Sequence, residues 1–245
     1  MGSRILTMVA AMALGATGSA SASATDSLHF ASLSDPAAES QALDPRDLYG
    51  SELLFGVYRD GTRVGEHRVS FGEDGNAIVV DVRFNVNVRF LGFSAYRYVY
   101  TATERWQDGR LVALAAETDD NGDISRVSAV EVGDRLHIRG PAGGVEAAAG
   151  TFATNHWNPG VLTEDTVINT ITGRLSQVRI VERGTEEVRV NGAVVAARRF
   201  VYTGDLDNEV WYDRDGRWVK MRFRAEDGST IEYVCEHRGQ KRNQS

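Results

Sequence analysis

Cysteine and lysine are scarce in this chain, and basic residues are outnumbered by acidic ones. Cys235 is the only cysteine, so no internal disulfide can form. Lysine occurs only at positions 220 and 241. The 27 Lys and Arg residues face 34 Asp and Glu residues, and this balance argues against a nucleic-acid partner. It also argues against docking to an anionic lipid surface by bulk charge.

Long apolar runs are absent except at the N-terminus. Arg4 precedes an uncharged apolar run over residues 5–16, and Ala-Ser-Ala at 22–24 forms a cleavage site of the A-x-A type. The run is shorter than the roughly 20 residues that a transmembrane helix needs. We therefore predict a cleaved signal peptide at residues 1–24 and a protein of the periplasm or the extracellular space. After cleavage, no integral membrane span is expected.

The sequence motifs of the common enzyme classes are also missing. There is no G-x-S-x-G nucleophile elbow, no P-loop and no dinucleotide-binding glycine fingerprint. None of the histidines has zincin spacing; they are at positions 29, 67, 137, 156 and 237. The sequence therefore assigns no catalytic residue, no cofactor and no metal.

Turn dipeptides between β-rich segments are abundant. Such pairs tolerate the positive φ angles of tight hairpin turns, and seven of them at strand-length spacing predict an antiparallel meander. The pairs are Asp60-Gly61, Asp74-Gly75, Asp108-Gly109, Asn121-Gly122, Asn191-Gly192, Asp215-Gly216 and Asp227-Gly228.

Two segments predict unusually long strands. In VVDVRFNVNVRF, residues 79–90, apolar and polar side chains alternate from Val80 onward, which excludes a helix. Its partner is FSAYRYVYTATERW at 93–106, and each strand is predicted to be about 14 residues or roughly 45 Å long. Strands of that length must curl, so the predicted fold is mainly β, a meander that forms a barrel or half-barrel.

The strand pattern fails in the middle of the chain. Residues 141–161 are predicted as a loop insertion and 164–171 as a short helix, after which strand patterns resume. Edge strands from the two halves can join one sheet, so two domains are not required. The expected layout is a flexible lead-in at 25–50, a single β domain at 51–236 and a flexible tail at 237–245.

Aromatic and imidazole side chains on the predicted apolar faces are candidate ligand-binding residues. His67 lies on the apolar face of its strand near Gly65, and strand glycines mark close backbone approaches. Tyr96, Tyr98 and Tyr100 form an aromatic row that suits the wall of a ligand cavity. The alternatives are a hydrogen-bonded core histidine and ordinary cross-strand aromatic packing.

The segment NHWNPGVL, residues 155–162, carries more polar functionality than a simple connection requires. In one interpretation, Trp157 plugs an end of the curved sheet while Pro159 and Gly160 fix a turn. In the other, His156 and Trp157 gate an apolar cavity. Both predict a buried Trp157, and they differ on whether His156 faces a void.

Four segments together resemble a bacterial exported family known as domain-of-unknown-function family 6134. They are FGVYRDGTRVGEHRVSF, NHWNPGVL, TGDLDNEVWYDRDGRWVKMRF and GSTIEYVC, and the likeness spans roughly residues 48–235. The resemblance implies an envelope location and a curved antiparallel sheet similar to periplasmic lipoprotein carriers. It implies no activity. The positions that match its motifs are Gly65, His67, His156, Trp157 and Pro159.

The leading functional hypothesis is a non-catalytic envelope protein that binds an apolar or lipid-like ligand in a curved sheet. An envelope enzyme with His67 or His156 as general base is the first alternative. The second is an assembly factor that pairs a sheet edge with a partner.

Overall fold

The computed structural model describes residues 43–90 and 93–238, which form one helix, one 3-10 helix and fourteen strands. The helix α1 is Pro45–Tyr49 and the 3-10 helix is Pro159–Thr163. The strands are β1 Glu52–Arg59, β2 Thr62–Asp74, β3 Ala77–Phe90, β4 Phe93–Gln107, β5 Arg110–Asp120, β6 Asp123–Val132, β7 Arg135–Gly140, β8 Gly143–Ala148, β9 Thr166–Ile168, β10 Leu175–Val190, β11 Ala193–Gly204, β12 Asn208–Asp213, β13 Trp218–Arg224 and β14 Thr230–Arg238.

All of these strands belong to one antiparallel sheet. Its order is β8-β7-β6-β5-β4-β3-β2-β1-β14-β13-β12-β11-β10-β9, so the pairing of β1 with β14 joins the two halves of the chain. Strands from both sides of the predicted interruption therefore share a single sheet. Because β8 and β9 remain edge strands, the sheet is a half-barrel, and the predicted fold class is confirmed.

The two long strands are also confirmed. β3 has 14 residues and β4 has 15. The expected face alternation holds, since Val82 and Phe84 are buried whereas Asp81 and Arg83 are exposed.

Six of the seven predicted turn dipeptides lie between two paired strands. In four of them both residues have positive φ, as a type I′ turn requires. These four are Asp60-Gly61, Asp108-Gly109, Asn121-Gly122 and Asn191-Gly192. At the β2–β3 hairpin the prediction is shifted by one residue, because Asp74 still pairs with Ala77 and the turn consists of Gly75 and Asn76.

The predicted helix over 164–171 is wrong. Pro159–Thr163 forms the helical turn instead, capped by the Asn158 side chain, which accepts from the Gly160 N–H at 2.9 Å. Thr166–Ile168 is an edge strand paired with β10, as its β-branched residues favour. Part of the predicted 141–161 loop is also strand, because Gly143–Ala148 forms a hairpin with β7.

The described structure includes residues on both sides of the expected domain, 51–236. Asp44 caps α1 within the predicted lead-in 25–50, and Tyr49 at its end is only 1% exposed. At the other end, β14 continues to Arg238, two residues into the predicted tail. The predicted signal peptide at 1–24 lies outside the described residues.

The core fills the concave side of the sheet. The long β10–β11 hairpin folds toward β14, where the Asn191 N–H donates to the Cys235 carbonyl oxygen at 2.9 Å. Cys235 is buried there. Among the described residues, no helix has the length and apolar character needed to cross a membrane.

Candidate functional site

A cavity lies between the concave face of the sheet and the chain segments that precede β9 and β12. About 80 Å³ is open to the centre of a water molecule, and the empty space including the mouth is about 790 Å³. It is lined by His67, Val69, Phe84, Tyr98, Tyr100, Thr154, Asn155, His156, Trp157, Thr170, Ile171, Asp207, Asn208, Trp218, Met221, Phe223 and Tyr233. The mouth is formed by the more exposed members of this set, which are Asn155, Ile171, Asp207 and Phe223.

Glu104 holds the segment 155–158 against the sheet. Its carboxylate is fully buried and accepts from the indole N–H groups of Trp106 at 2.8 Å and Trp157 at 3.0 Å. The Asn155 side-chain amide donates to the other carboxylate oxygen. Burial raises the pKa of Glu104, and these three hydrogen bonds oppose the rise.

Two tyrosine hydroxyls fix the backbone of the same segment. Tyr212 donates to the His156 carbonyl oxygen at 2.9 Å, and Tyr49 donates to the Trp157 carbonyl oxygen at 2.7 Å. The Tyr49 hydroxyl also accepts from the Trp218 N–H at 3.0 Å, which ties α1 to β13. The segment 155–158 is thus bound to the sheet by side chains, while the residues just before it form two backbone hydrogen bonds with Ile168 of β9.

His156 faces the cavity from this fixed backbone. Its Nδ1 lies 3.4 Å from the Tyr202 hydroxyl, whereas its Nε2 has no hydrogen-bond partner among the described residues. The side chain is 3% exposed, and burial lowers the pKa of His156 to about 4. The imidazole is therefore neutral at physiological pH.

His67 occupies the floor of the cavity within an aromatic cage. The ring centroids of Phe84, Trp218 and Tyr233 lie 5.9, 5.5 and 5.3 Å from the imidazole centroid. Its Nδ1 has no hydrogen-bond partner within the described part of the chain. Burial, with a smaller contribution from His156, lowers the pKa of His67 to about 3.

The close backbone approach predicted near His67 is present at Gly65. A Cβ atom on Gly65 would lie 1.9 Å from the carbonyl oxygen of Asn85 on β3. Only glycine permits this pairing of β2 with β3, so the group that comes close to the Gly65 backbone belongs to the neighbouring strand β3.

Two of the three tyrosines in the row line the cavity. Tyr98 and Tyr100 line the cavity, and the Tyr100 hydroxyl donates to Thr170 Oγ1 at 2.8 Å. Tyr96 is equally buried but lies outside the lining set, and its hydroxyl donates to Asp120 at 2.7 Å.

Asn208 completes the polar part of the cavity. It begins β12, is 3% exposed, and neither its amide nitrogen nor its amide oxygen has a hydrogen-bond partner in the described residues. Buried amides are normally hydrogen-bonded, so a group with both atoms unpaired requires an explanation.

The comparisons with known proteins agree with this architecture. The model of a family described as "Domain of unknown function (DUF6134)" matches residues 55–236. The chain belongs to this family. The match confirms the resemblance found in the sequence, and the DUF6134 domain thus includes most of β1, most of β14 and the whole cavity lining.

A solved structure is similar in fold to this DUF6134 chain. It is the "Beta-barrel-like Protein of Domain of Unknown Function DUF1849 from Brucella abortus", with a TM-score of 0.54 and 12% sequence identity. The likeness covers 75% of this chain and 94% of that chain. At this identity it shows the fold alone. A comparison with curated proteins finds no match.

Five of the six predicted site residues line the cavity: His67, Tyr98, Tyr100, His156 and Trp157. Sequence reasoning missed Glu104 and Asn208. Each is a polar residue on the apolar face of its strand. Glu104 shares a face with the tyrosine row, and Asn208 shares a face with Val210 and Tyr212. A polar residue at an inward-facing position could therefore have identified both from the sequence.

Within residues 43–90 and 93–238, no group of three His, Cys, Asp or Glu residues could hold a metal ion.

Proposed function

We propose that this DUF6134 protein is exported to the cell envelope and binds a small amphipathic molecule in the cavity. The observation that carries the proposal is a set of unpaired buried polar atoms around one apolar cavity: His67 Nδ1, His156 Nε2 and both amide atoms of Asn208. The predicted signal peptide at 1–24 supports export.

The energetics favour an occupant. A buried polar atom without a partner costs about 1–3 kcal/mol, so four such atoms favour an occupant that forms hydrogen bonds with them. A ligand that places its polar group against Asn208 and its apolar body among the rings of Phe84, Trp218 and Tyr233 removes this cost. It also gains the burial of its apolar surface.

The dimensions suit a small ligand or one end of a longer one. The roughly 80 Å³ open to a water centre exceeds the 10–15 Å³ that a single water needs. This volume is below the roughly 300–1,000 Å³ of a typical small-molecule site, so the cavity suits a small group or one end of a longer molecule. The larger space of about 790 Å³ includes open solvent at the mouth. A lipid can therefore insert its end while the remainder leaves through the mouth between Ile171 and Phe223.

The two alternatives have less support from the geometry. A general base needs a partner at a cleft, but the hydroxyl near His156 Nδ1 belongs to Tyr202, which is outside the cavity lining. A sheet-edge assembly factor needs a long open edge. The end strands of the described sheet, β8 and β9, have six and three residues. β9 pairs with β10 only over Leu175–Gln177, so a longer stretch of the β10 edge is open, but charged side chains there, such as Glu182, Arg183 and Glu187, oppose pairing with another chain.

The test is mass spectrometry of small molecules extracted from the full chain after purification from the periplasm of its own host. We expect an enriched amphipathic species in the wild-type protein. Ile171→Trp, which narrows the mouth, should lose it, whereas Ile180→Trp on β10, outside the lining, should retain it. The proposal is overturned if the wild-type extract matches that of an unrelated periplasmic protein, or if both variants carry the same species.

A further inference from the structure

The polar atoms and charges of the cavity define the kind of head group that it accepts. We infer that the ligand inserts a neutral group that both donates and accepts hydrogen bonds, such as a carboxamide or a hydroxyl, and that ionised carboxylates are rejected. This inference rests on the proposed function and specifies its ligand class.

The first argument is charge. Among the described lining residues there is no lysine or arginine, although the sequence contains 27 basic residues. The ionisable acid in the lining is Asp207, which is exposed at the mouth, and Glu104 lies directly behind Asn155 and Trp157. A buried anion requires a paired cation, so an anionic head group would meet carboxylates without compensation.

The second argument is hydrogen-bond complementarity. The two unpaired atoms of Asn208 are a donor, Nδ2, and an acceptor, Oδ1. A carboxamide or hydroxyl can pair with both, because each carries a donor and an acceptor. An ionised carboxylate only accepts and would leave Oδ1 unpaired.

The histidines extend the same pattern. A Tyr202 hydroxyl that donates to His156 Nδ1 leaves the imidazole hydrogen on Nε2, which then donates into the cavity. His67 Nδ1 provides a further unpaired ring nitrogen on the floor. Both imidazoles are neutral at pH 7, since burial lowers their pKa values to about 3 for His67 and about 4 for His156. They therefore supply hydrogen bonds but no positive charge.

The test compares three probes of equal chain length: octanamide, 1-octanol and octanoate. Binding to the full chain is measured at pH 8 by calorimetry and by quenching of tryptophan fluorescence, since Trp157 and Trp218 line the cavity. We expect the two neutral probes to bind at least about tenfold more tightly than octanoate, which corresponds to one poorly paired buried group. Octanoate binding as tightly as octanamide would overturn this inference alone. If none of the three probes binds, both the inference and the proposed function are overturned.

Asn208→Leu separates a binding role from a structural one. The replacement is similar in size and removes two unpaired buried atoms without breaking any hydrogen bond seen in the described structure. We expect it to raise the urea midpoint of the ligand-free protein and to lower octanamide affinity by about tenfold.

Asn169→Leu is the matched control, because the Asn169 side chain is also buried but accepts from the Ile171 and Thr172 N–H groups. It should lower the urea midpoint. An Asn208→Leu protein that is destabilised like Asn169→Leu, or that keeps full octanamide affinity, would overturn the inference.

Discussion

Replacing Glu104 should loosen the loop that carries His156 and Trp157. The carboxylate accepts from two indoles and one amide in a fully buried position. In Glu104→Gln, the amide oxygen can keep both indole hydrogen bonds only if the amide nitrogen faces Asn155, which must then turn its own amide to present Oδ1. All three hydrogen bonds also lose their charged acceptor. Since a hydrogen bond to a charged group contributes about 1.5–3 kcal/mol, we expect the free energy of unfolding to fall by about 2–3 kcal/mol.

Glu104→Leu removes every acceptor at once. The N–H groups of Trp106, Trp157 and Asn155 are then left buried and unpaired, at about 1–3 kcal/mol each before the loop relaxes. A total loss of about 3–6 kcal/mol is a large share of the 5–15 kcal/mol that stabilises a typical domain.

Urea unfolding at pH 7, followed by tryptophan fluorescence and far-UV circular dichroism, measures both losses. The control is Glu117→Gln on β5, where the carboxylate forms a surface pair with Arg126 at 2.8 Å and should contribute less than about 1 kcal/mol. A Glu104→Gln protein as stable as wild type would refute the buried-acceptor reasoning, and so would a Glu104→Leu protein more stable than Glu104→Gln.

Two further predictions concern stability. Burial depresses the pKa of His67 to about 3 and that of His156 to about 4, so the unfolded chain binds more protons below about pH 6.5. The urea midpoint should therefore fall as the pH is lowered from about 6.5 to 4. Over this range the folding equilibrium constant should decrease by up to about tenfold per histidine for each pH unit. A urea midpoint that does not change with pH would contradict this. Gly65→Ala should destabilise the protein because its Cβ would overlap Asn85, whereas Gly72→Ala on the same strand meets nothing nearer than 4.0 Å. Equal melting temperatures for the two alanine variants would show that β2 can shift freely.

Much of the fold was predictable because a strand has a period of two. The alternation in β3 and the turn pairs depend only on neighbouring residues, so the sequence alone identifies the meander and its concave face. The same alternation placed His67 and the tyrosines on the inside. The short elements were harder, because Pro159–Thr163 depends on a single Asn158 cap and Thr166–Ile168 becomes a strand only by pairing with β10.

The site was predictable only in part for a related reason. Alternation shows that a side chain points inward, but it does not show which inward side chains meet. Glu104 and the 155–158 segment are about fifty residues apart in sequence, and Asn208 is separated from His67 by more of the chain still. The convergence of His67 and Asn208 follows from the β1–β14 pairing, which no local pattern specifies.

The pairing of β1 with β14 has a consequence for synthesis. The centre of the sheet is built from the two ends of the domain, whereas its outer margins come from the middle. As the chain emerges N-terminus first, each half can form its own hairpins before Thr230–Arg238, the strand that pairs with β1, is made. A nonsense mutation that removes this strand would therefore not delete an edge strand. It would remove the β1–β14 pairing that joins the two halves of the sheet.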